Sequence, residues 1–237
     1  MQDEQPAKPE IGPKVAGGTA RLPKPVTMQG RYTVVRPLMP SVDTESLFEG
    51  THRENREEFW LYMSSGPFAN VREFRAYLDK LGASTDPLSF VIADALTGRA
   101  LGHASYMRIT PEHRVIEVGN IFLTHWLART RAATEAMYLM ARHIFEDLGY
   151  RRYEWKCNAF NLPSRRAAVR LGFSFEGIFM QHMIQKGRSR DTAWYSMLDS
   201  EWPMYKAAYE EWLSPANFDV LGHAKSRLGI LLRPARP

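Results

Sequence analysis

Hydrophobic and polar positions change period several times along this chain, and each change marks an element. The run Arg31-Tyr-Thr-Val-Val-Arg36 is β-branched and alternating, which predicts a strand. Before it, residues 1–30 are rich in Pro, Gly and charge and have no apolar period. They predict a flexible arm, since too little surface is available to offset the entropy of ordering. From Ser41 to Leu81 the period is helical over two or three stretches, with Ser41 as the first cap and Phe74, Tyr77, Leu78 and Leu81 on one face. Residues 88–95 and 100–109 read as strands around Thr97-Gly98-Arg99, and residues 115–123 as a third. The longest helix is expected over 132–148, with an apolar stripe of Ala136, Leu139, Met140, His143, Ile144 and Leu148 closed by Gly149. A strand over 152–157, a short helix, a hairpin of 178–185 and 191–198 around Lys186-Gly187-Arg188, and a helix over 201–213 follow. From Ser214 the tail has at most a short helix. The order β, αα(α), β, β, β, α, β, α, β, β places the chain in the α/β (α+β) class, with an arm at 1–30, a domain at 31–203 and a C-terminal helix and tail at 204–237.

Composition narrows the function classes. With 44% hydrophobic and 12% aromatic residues over 237 positions, the chain can fill a packed core. No run of about 18 apolar residues is long enough to span a membrane. The opening Met1-Gln-Asp-Glu-Gln-Pro6 lacks the order of a secretion signal, so a cytoplasmic location and no membrane partner are expected. The single cysteine, Cys157, excludes an internal disulfide and reads as a small buried hydrophobe; no clustered His, Asp and Glu set predicts a metal. The net charge of +5 is uneven, because residues 151–190 hold nine basic side chains against Glu154 and Glu176. Such a segment suits a polyanionic cofactor or a nucleic-acid-bearing partner, or forms a solvated surface.

The most informative stretch is Asn158-Ala-Phe-Asn161-Leu-Pro163-Ser164, leading through a short helix to Leu171-Gly172-Phe173. It places Asn161 and Ser164 on a first helical turn, where free N–H groups and polar side chains meet a ligand. Two further stretches join it: Trp126 to Ala136, ending in Ala-Thr-Glu-Ala, and Glu176-Gly177 through Lys186-Gly187-Arg188 to Asp191. In this order and spacing the chain resembles, over about residues 30–203, the GCN5-related N-acetyltransferases (GNAT), and within them the RimJ and RimL type that acetylates ribosomal-protein N-termini. The resemblance implies a GNAT acyl-CoA N-acyltransferase fold, a mixed, largely antiparallel central sheet flanked by helices. It implies acetyl-CoA as cosubstrate, contacted by the strand end Ile121, Phe122 and Leu123. The pyrophosphate would lie on the loop Arg129 to Thr134, including Arg131, Ala132 and Ala133. The strands near Phe122 and Cys157 would splay to admit the pantetheine arm, with Asn161 against that arm and Ser164 near the sulfur. The family's loop has Arg or Gln, two residues, Gly, one residue, then Gly or Ala; here Ala128, Arg131 and Ala133 occupy those positions. Either Arg131 meets phosphate through its guanidinium, or phosphate binding is impaired.

Acetyl transfer to an amine needs a neutral amine, stabilisation of developing negative charge and a proton for the departing thiolate. An α-amine is roughly a tenth neutral at pH 7, so it asks less of a base than lysine does. Glu117, on the strand entering the cofactor loop, is the first candidate base, and His182 on the hairpin the second. Ser164 is the candidate acid, since the tyrosine that many relatives carry four residues before Gly-Phe is Ala168 here. The expected acceptor is a protein N-terminus or other α-amine, in a pocket built by loops between Glu54 and Ala83 and by the Lys186 hairpin. A small-molecule amine (an amino acid conjugate or an antibiotic) and a non-catalytic, ribosome-associated CoA-binding module are the alternatives, and a homodimer is left open.

Overall fold

A computed structural model describes residues 11–54 and 56–232; in it Met28–Gln29 (β1) pairs antiparallel with Thr33–Pro37 (β2). Helices Pro40–Thr51 (α1), Arg56–Trp60 (α2) and Val71–Gly82 (α3) follow. Met39 rather than Ser41 stands at the cap of α1. Pro40 supplies the fixed φ of a first helical residue, and Asp43 reaches back to accept Met39 N–H at 2.8 Å. Leu88–Asp94 (β3), Ala100–Thr110 (β4) and Val115–Leu123 (β5) form an antiparallel meander. Arg131–Arg142 (α4) crosses over to Arg152–Asn158 (β6), so β5 and β6 run parallel. Residues 143–148 continue α4 as a π-helical turn before Gly149 exits at φ +75°, so the expected helix over 132–148 is two kinds of helix in series. Leu162–Arg170 (α5), Ser174–Gln185 (β7), Arg188–Leu198 (β8), Trp202–Leu213 (α6) and the short Leu228–Leu231 (α7) complete the chain. The eight strands stand in the order β1-β2-β3-β4-β5-β6-β8-β7, a largely antiparallel sheet flanked by helices as expected.

Strand alternation divides the core between the two faces of this sheet. On one, Phe90, Tyr106 and Tyr153 pack with Met140 of α4 and Tyr205, Tyr209 and Trp212 of α6, so residues 204–213 share the domain's core. On the other, Leu47, Trp60, Phe74 and Leu78 of α1–α3 cover Val91, Ala93 and Phe122. Further across that second face, β5 and β6 present Glu117, Glu154 and Lys156 where apolar side chains would continue the core.

The arm expected at 1–30 needs a correction. Residues 1–10 lie outside the described residues, but the stretch from Ala20 onward is bound to the domain. Ala20 and Arg21 donate backbone N–H to Pro111 O at 3.0 Å and Leu148 O at 2.9 Å, and Met28 is buried. Glu135, on the first turns of α4, accepts the backbone N–H groups of Arg31, Tyr32 and Thr33 at 2.8, 2.6 and 2.9 Å. Backbone bonds of this kind leave no periodic trace in side-chain pattern. Among the described residues no helix is long and apolar enough to cross a membrane.

Candidate active site

The β5–β6 ladder runs only from Val115 opposite Arg152 to Val118 opposite Trp155, and beyond it the strands part. The cause lies in β5. Against β4, Ser105 opposes Gly119 and His103 opposes Phe122, so Asn120 and Ile121 together face Ala104 in a bulge, with Asn120 at φ +50°. His103, fully buried, donates Nδ1–H to Asn120 O at 2.8 Å and stacks on Phe122 with ring centroids 4.8 Å apart. Burial pushes its pKa down to about 4, against the opposing pull of the Asn120 carbonyl, so the ring that holds the bulge is neutral near pH 7.

The gap opens a cavity of about 340 Å3. Its β5 wall includes Glu117, Gly119 and Ile121; its β6 wall includes Trp155, Lys156 and Cys157. The start of α5 closes one side. Asn161 caps that helix, accepting Ser164 N–H at 3.1 Å, and Trp155 Nε1–H donates to Ser164 Oγ at 3.0 Å. An indole N–H can only donate, so Ser164 keeps its own proton to give. The thiol of Cys157 lies beside it: burial pushes that thiol up, and the Ser164 hydroxyl pulls it down.

Glu117 is only 3% exposed, and its Oε2 accepts from Arg108 at 2.7 Å and Lys156 at 2.9 Å. Lys156 also pairs with Glu154 at 2.6 Å, Glu154 with Arg152 at 2.7 Å, and Arg152 Nη1 donates to Glu176 at 2.9 Å. Gly119 makes the crowding possible, since a Cβ there would lie 2.3 Å from Met107 Sδ and 3.3 Å from Glu117 Oε1.

Of the other residues expected here, Phe122 is buried against Trp60, with ring centroids 5.5 Å apart, and Leu123 packs against the core; the bulge leaves Ile121 alone of the three on the cavity wall. His182 stands outside the cavity on β7, its Nδ1 3.0 Å from Thr192 Oγ1 and its ring beside Phe179 and Trp194. On α4, Thr130 Oγ1 accepts Ala133 N–H at 3.2 Å, which leaves the N–H groups of Arg131 and Ala132 at the helix mouth without intrahelical acceptors. Arg129 is exposed there at φ +65°. Two expectations for this loop change. The Arg131 guanidinium stacks over Tyr32 at 4.3 Å and Phe218 at 5.3 Å, and the buried Thr134 hydroxyl accepts from Arg170 at 3.1 Å. Both side chains are thus committed inward, and the backbone of residues 129–132 carries what the loop offers to a ligand.

At the far end the Tyr62 to Ser64 segment meets the β7–β8 hairpin. Gln185 Nε2 donates to Tyr62 O at 3.0 Å, Lys186 Nζ to Trp60 O at 2.8 Å, and Tyr62 Oη to Phe160 O at 3.1 Å. A parted strand pair with a helix N-terminus at one end and two loops at the other can hold a long, phosphate-bearing molecule through the sheet and admit a second reactant from the opposite side.

Residues 33–174 match the acetyltransferase (GNAT) domain family. The chain belongs to the GNAT acetyltransferases. It is similar to the crystal structure of a GCN5-related N-acetyltransferase from Brucella melitensis, with 45% identity, a TM-score of 0.88, and 91% of this chain and 97% of that one covered. A probable GNAT acetyltransferase from Chromobacterium violaceum shares 34% identity at a TM-score of 0.76, over 83% of this chain and 100% of that one. An uncharacterised N-acetyltransferase of Bacillus subtilis, YoaA, is 30% identical over 103 residues, which are 43% of this chain and 57% of that protein. For a GNAT domain the residues that pattern reading missed are Arg108, Lys156, Arg190 and Tyr62, all on the cavity wall. One signal was present. On β6 the charged Arg152, Glu154 and Lys156 alternate with the buried Tyr153, Trp155 and Cys157, which marks a strand with a polar face that is not simply solvent-facing.

Proposed function

We propose that this acetyltransferase moves the acetyl group of acetyl-CoA to an α-amine, of a protein N-terminus or a smaller molecule, as a RimJ/RimL-like enzyme. The observation that carries the reading is the parting of β5 from β6 beyond Val118 and Trp155, with Ser164, Cys157 and Glu117 on one cavity. The residues fit the cosubstrate. The mouth of α4 offers the N–H groups of Arg131 and Ala132 beside Arg129, with no acidic side chain from 129 to 132, and Asn161 and Ile121 line the gap. When bound, acetyl-CoA supplies the activated acyl group. The amine nitrogen bonds to the acetyl carbon as the carbon–sulfur bond breaks; the amine loses one proton and sulfur gains one. Ser164 is the donor to sulfur. Glu117 Oε1, the oxygen not engaged by Arg108 and Lys156, receives the amine proton directly or through water, and His182 has no part. Arg108 and Lys156 are balanced by Glu117 and Glu154, and the unmatched Arg190 beside them disfavours an ammonium and so helps to present the amine neutral. Titration calorimetry with acetyl-CoA, followed by thiol release on adding peptides with free α-amines, tests the proposal. Saturable binding with peptide-dependent thiol release is expected. Absence of binding at millimolar acetyl-CoA overturns it and would leave a non-catalytic module.

A further inference from the structure

The row of charges on the second sheet face is balanced within itself. Arg108, Glu117, Lys156, Glu154, Arg152 and Glu176 alternate in sign, each paired with the next. Arg190 of β8 is left over. Its Nη1 donates to the neutral Gln185 at 2.6 Å, its Nε is buried without a partner, and among the described residues it forms no ion pair. Burial pulls its guanidinium below the ordinary arginine value, with Cys157 and Glu117 opposing from a distance. A half-buried cation with no ion pair and a buried, unpartnered N–H carries a desolvation cost, and an anion delivered by a ligand offsets it.

Its position says which ligand. Arg190, Tyr62, Asn158 and Gln185 line both the inner cavity and a second, outer one of about 640 Å3. The outer cavity is walled by the Leu61–Tyr62 segment and the β7–β8 hairpin, and none of residues 129–134 at the mouth of α4 lines it. It carries Lys186 and Arg188 on its rim, no acidic residue among its walls, and the exposed apolar Leu61 and Phe160. Lys186 donates to the Trp60 carbonyl, and the acid whose charge reaches it is Glu57 on α2, which forms no ion pair with it. An acceptor no larger than an amino acid would end in the inner cavity and leave this groove unused; an extended chain uses both.

We infer that the acceptor is the N-terminal segment of an acidic peptide chain, its amine in the inner cavity and a carboxylate of one of its next residues received by Arg190, with Lys186 and Arg188 drawing the segment in. The inference depends on the α-amine reading proposed above. Arginine suits the role, because its planar fork matches a carboxylate in two-point geometry.

The test compares thiol release from acetyl-CoA with the tetrapeptides Ser-Asp-Glu-Leu, Ser-Asn-Gln-Leu and Ser-Lys-Lys-Leu, and with free aspartate. The acidic peptide is expected to exceed the neutral one about tenfold in kcat/KM, with the basic one lowest. Arg190→Gln should bring the acidic-to-neutral ratio to within about twofold and Arg190→Lys should restore part of it, with CoA affinity by calorimetry changed less than the ratio. Equal rates for acidic and neutral peptides in the wild type, an unchanged ratio in Arg190→Gln, or CoA binding weakened as much as the ratio overturns the inference. Free aspartate outpacing the acidic peptide overturns its peptide part. Should Arg190→Gln fail to fold by circular dichroism, the Lys186→Gln/Arg188→Gln variant on the exposed rim carries the test: a reduced acid preference supports the inference and an unchanged one overturns it. Intact CoA binding with no thiol release from any peptide overturns the α-amine proposal itself, which distinguishes the two failures.

Discussion

Trp155 donates its indole N–H to Ser164, and since that bond uses the oxygen as acceptor, the hydroxyl proton is left for a group on the cavity wall, where the Cys157 thiol is its neighbour. A proton given to a departing thiolate matters in the transition state far more than in the ground state. Ser164→Ala is therefore expected to lower kcat by about tenfold or more while CoA affinity shifts little, measured by steady-state kinetics and calorimetry. An equal loss in both would mark Ser164 as a residue of the helix turn. His103 acts differently, through the bulge. Its pKa falls from the ordinary 6.5 to about 4 on burial, so between those values the unfolded chain binds a proton that the folded chain does not. Stability thus rises with pH across that window and is lost as pH falls from about 6.5 toward 4, by an amount on the order of 3 kcal/mol. Urea melts at stepped pH should show this slope, and His103→Gln should flatten it. An unchanged slope in the variant would place the acid sensitivity elsewhere.

Among the elements, α4 joins the sheet's first hairpin to the loop proposed to meet the cosubstrate. Glu135 collects three backbone N–H groups of the β1–β2 connection, and Gly30 leaves the room, since a Cβ there would lie 2.4 Å from Glu135 Oε2. Glu135→Ala strands three donors at once and is expected to cost about 2–4 kcal/mol, read as a lower urea midpoint with the slope unchanged. Gln, which keeps one acceptor, should lose less. The expected phosphate loop ends at Thr134, and the Glu135 that follows it in Ala-Thr-Glu-Ala faces the β1–β2 connection; pattern alone does not say which neighbour a helical carboxylate meets. Elements longer than about five residues were legible because side-chain period reports burial directly, as in β3 to β6 and α3. The two-residue β1, the π turn after Arg142 and the bulge at Asn120 were not, for each is a matter of backbone bonding. Asn161, Ser164, Glu117 and Ile121, which the sequence names as candidates, line one cavity, whereas the bulge leaves Phe122 buried away from it. His182, the second candidate base, stands outside that cavity, since strand parity cannot show which face of a twisted hairpin turns to a cleft.

At the scale of the whole molecule, the sheet is held across its parting strands by charge as well as by apolar packing. Above Val118 and Trp155 the ladder no longer joins β5 to β6, and on the same face Lys156 reaches from β6 to Glu117 on β5, with its ammonium 3.9 Å from the Trp194 ring of β8. One lysine therefore ties three strands beside the gap between β5 and β6. Lys156, Glu117 and Glu154 are 6%, 3% and 9% exposed, so removing the cation leaves two buried carboxylates side by side with only Arg108 on one and Arg152 on the other. Lys156→Met is expected to destabilise by about 2–3 kcal/mol at neutral pH, below the ~3–5 kcal/mol of a fully unpaired buried charge because Arg108 and Arg152 each keep one acid, and mostly as the cost of the facing acids and not as the worth of the pairs themselves. That distinction is measurable. If the abandoned charges are the cost, the combined Lys156→Met/Glu117→Gln/Glu154→Gln variant should be more stable than Lys156→Met alone, a strongly non-additive cycle. If instead the ion pairs chiefly brace the cleft, the combined variant should melt no higher than the single one. The first outcome identifies the row as an arrangement whose members tolerate burial only together, which is the condition that makes the unmatched Arg190 beside it conspicuous.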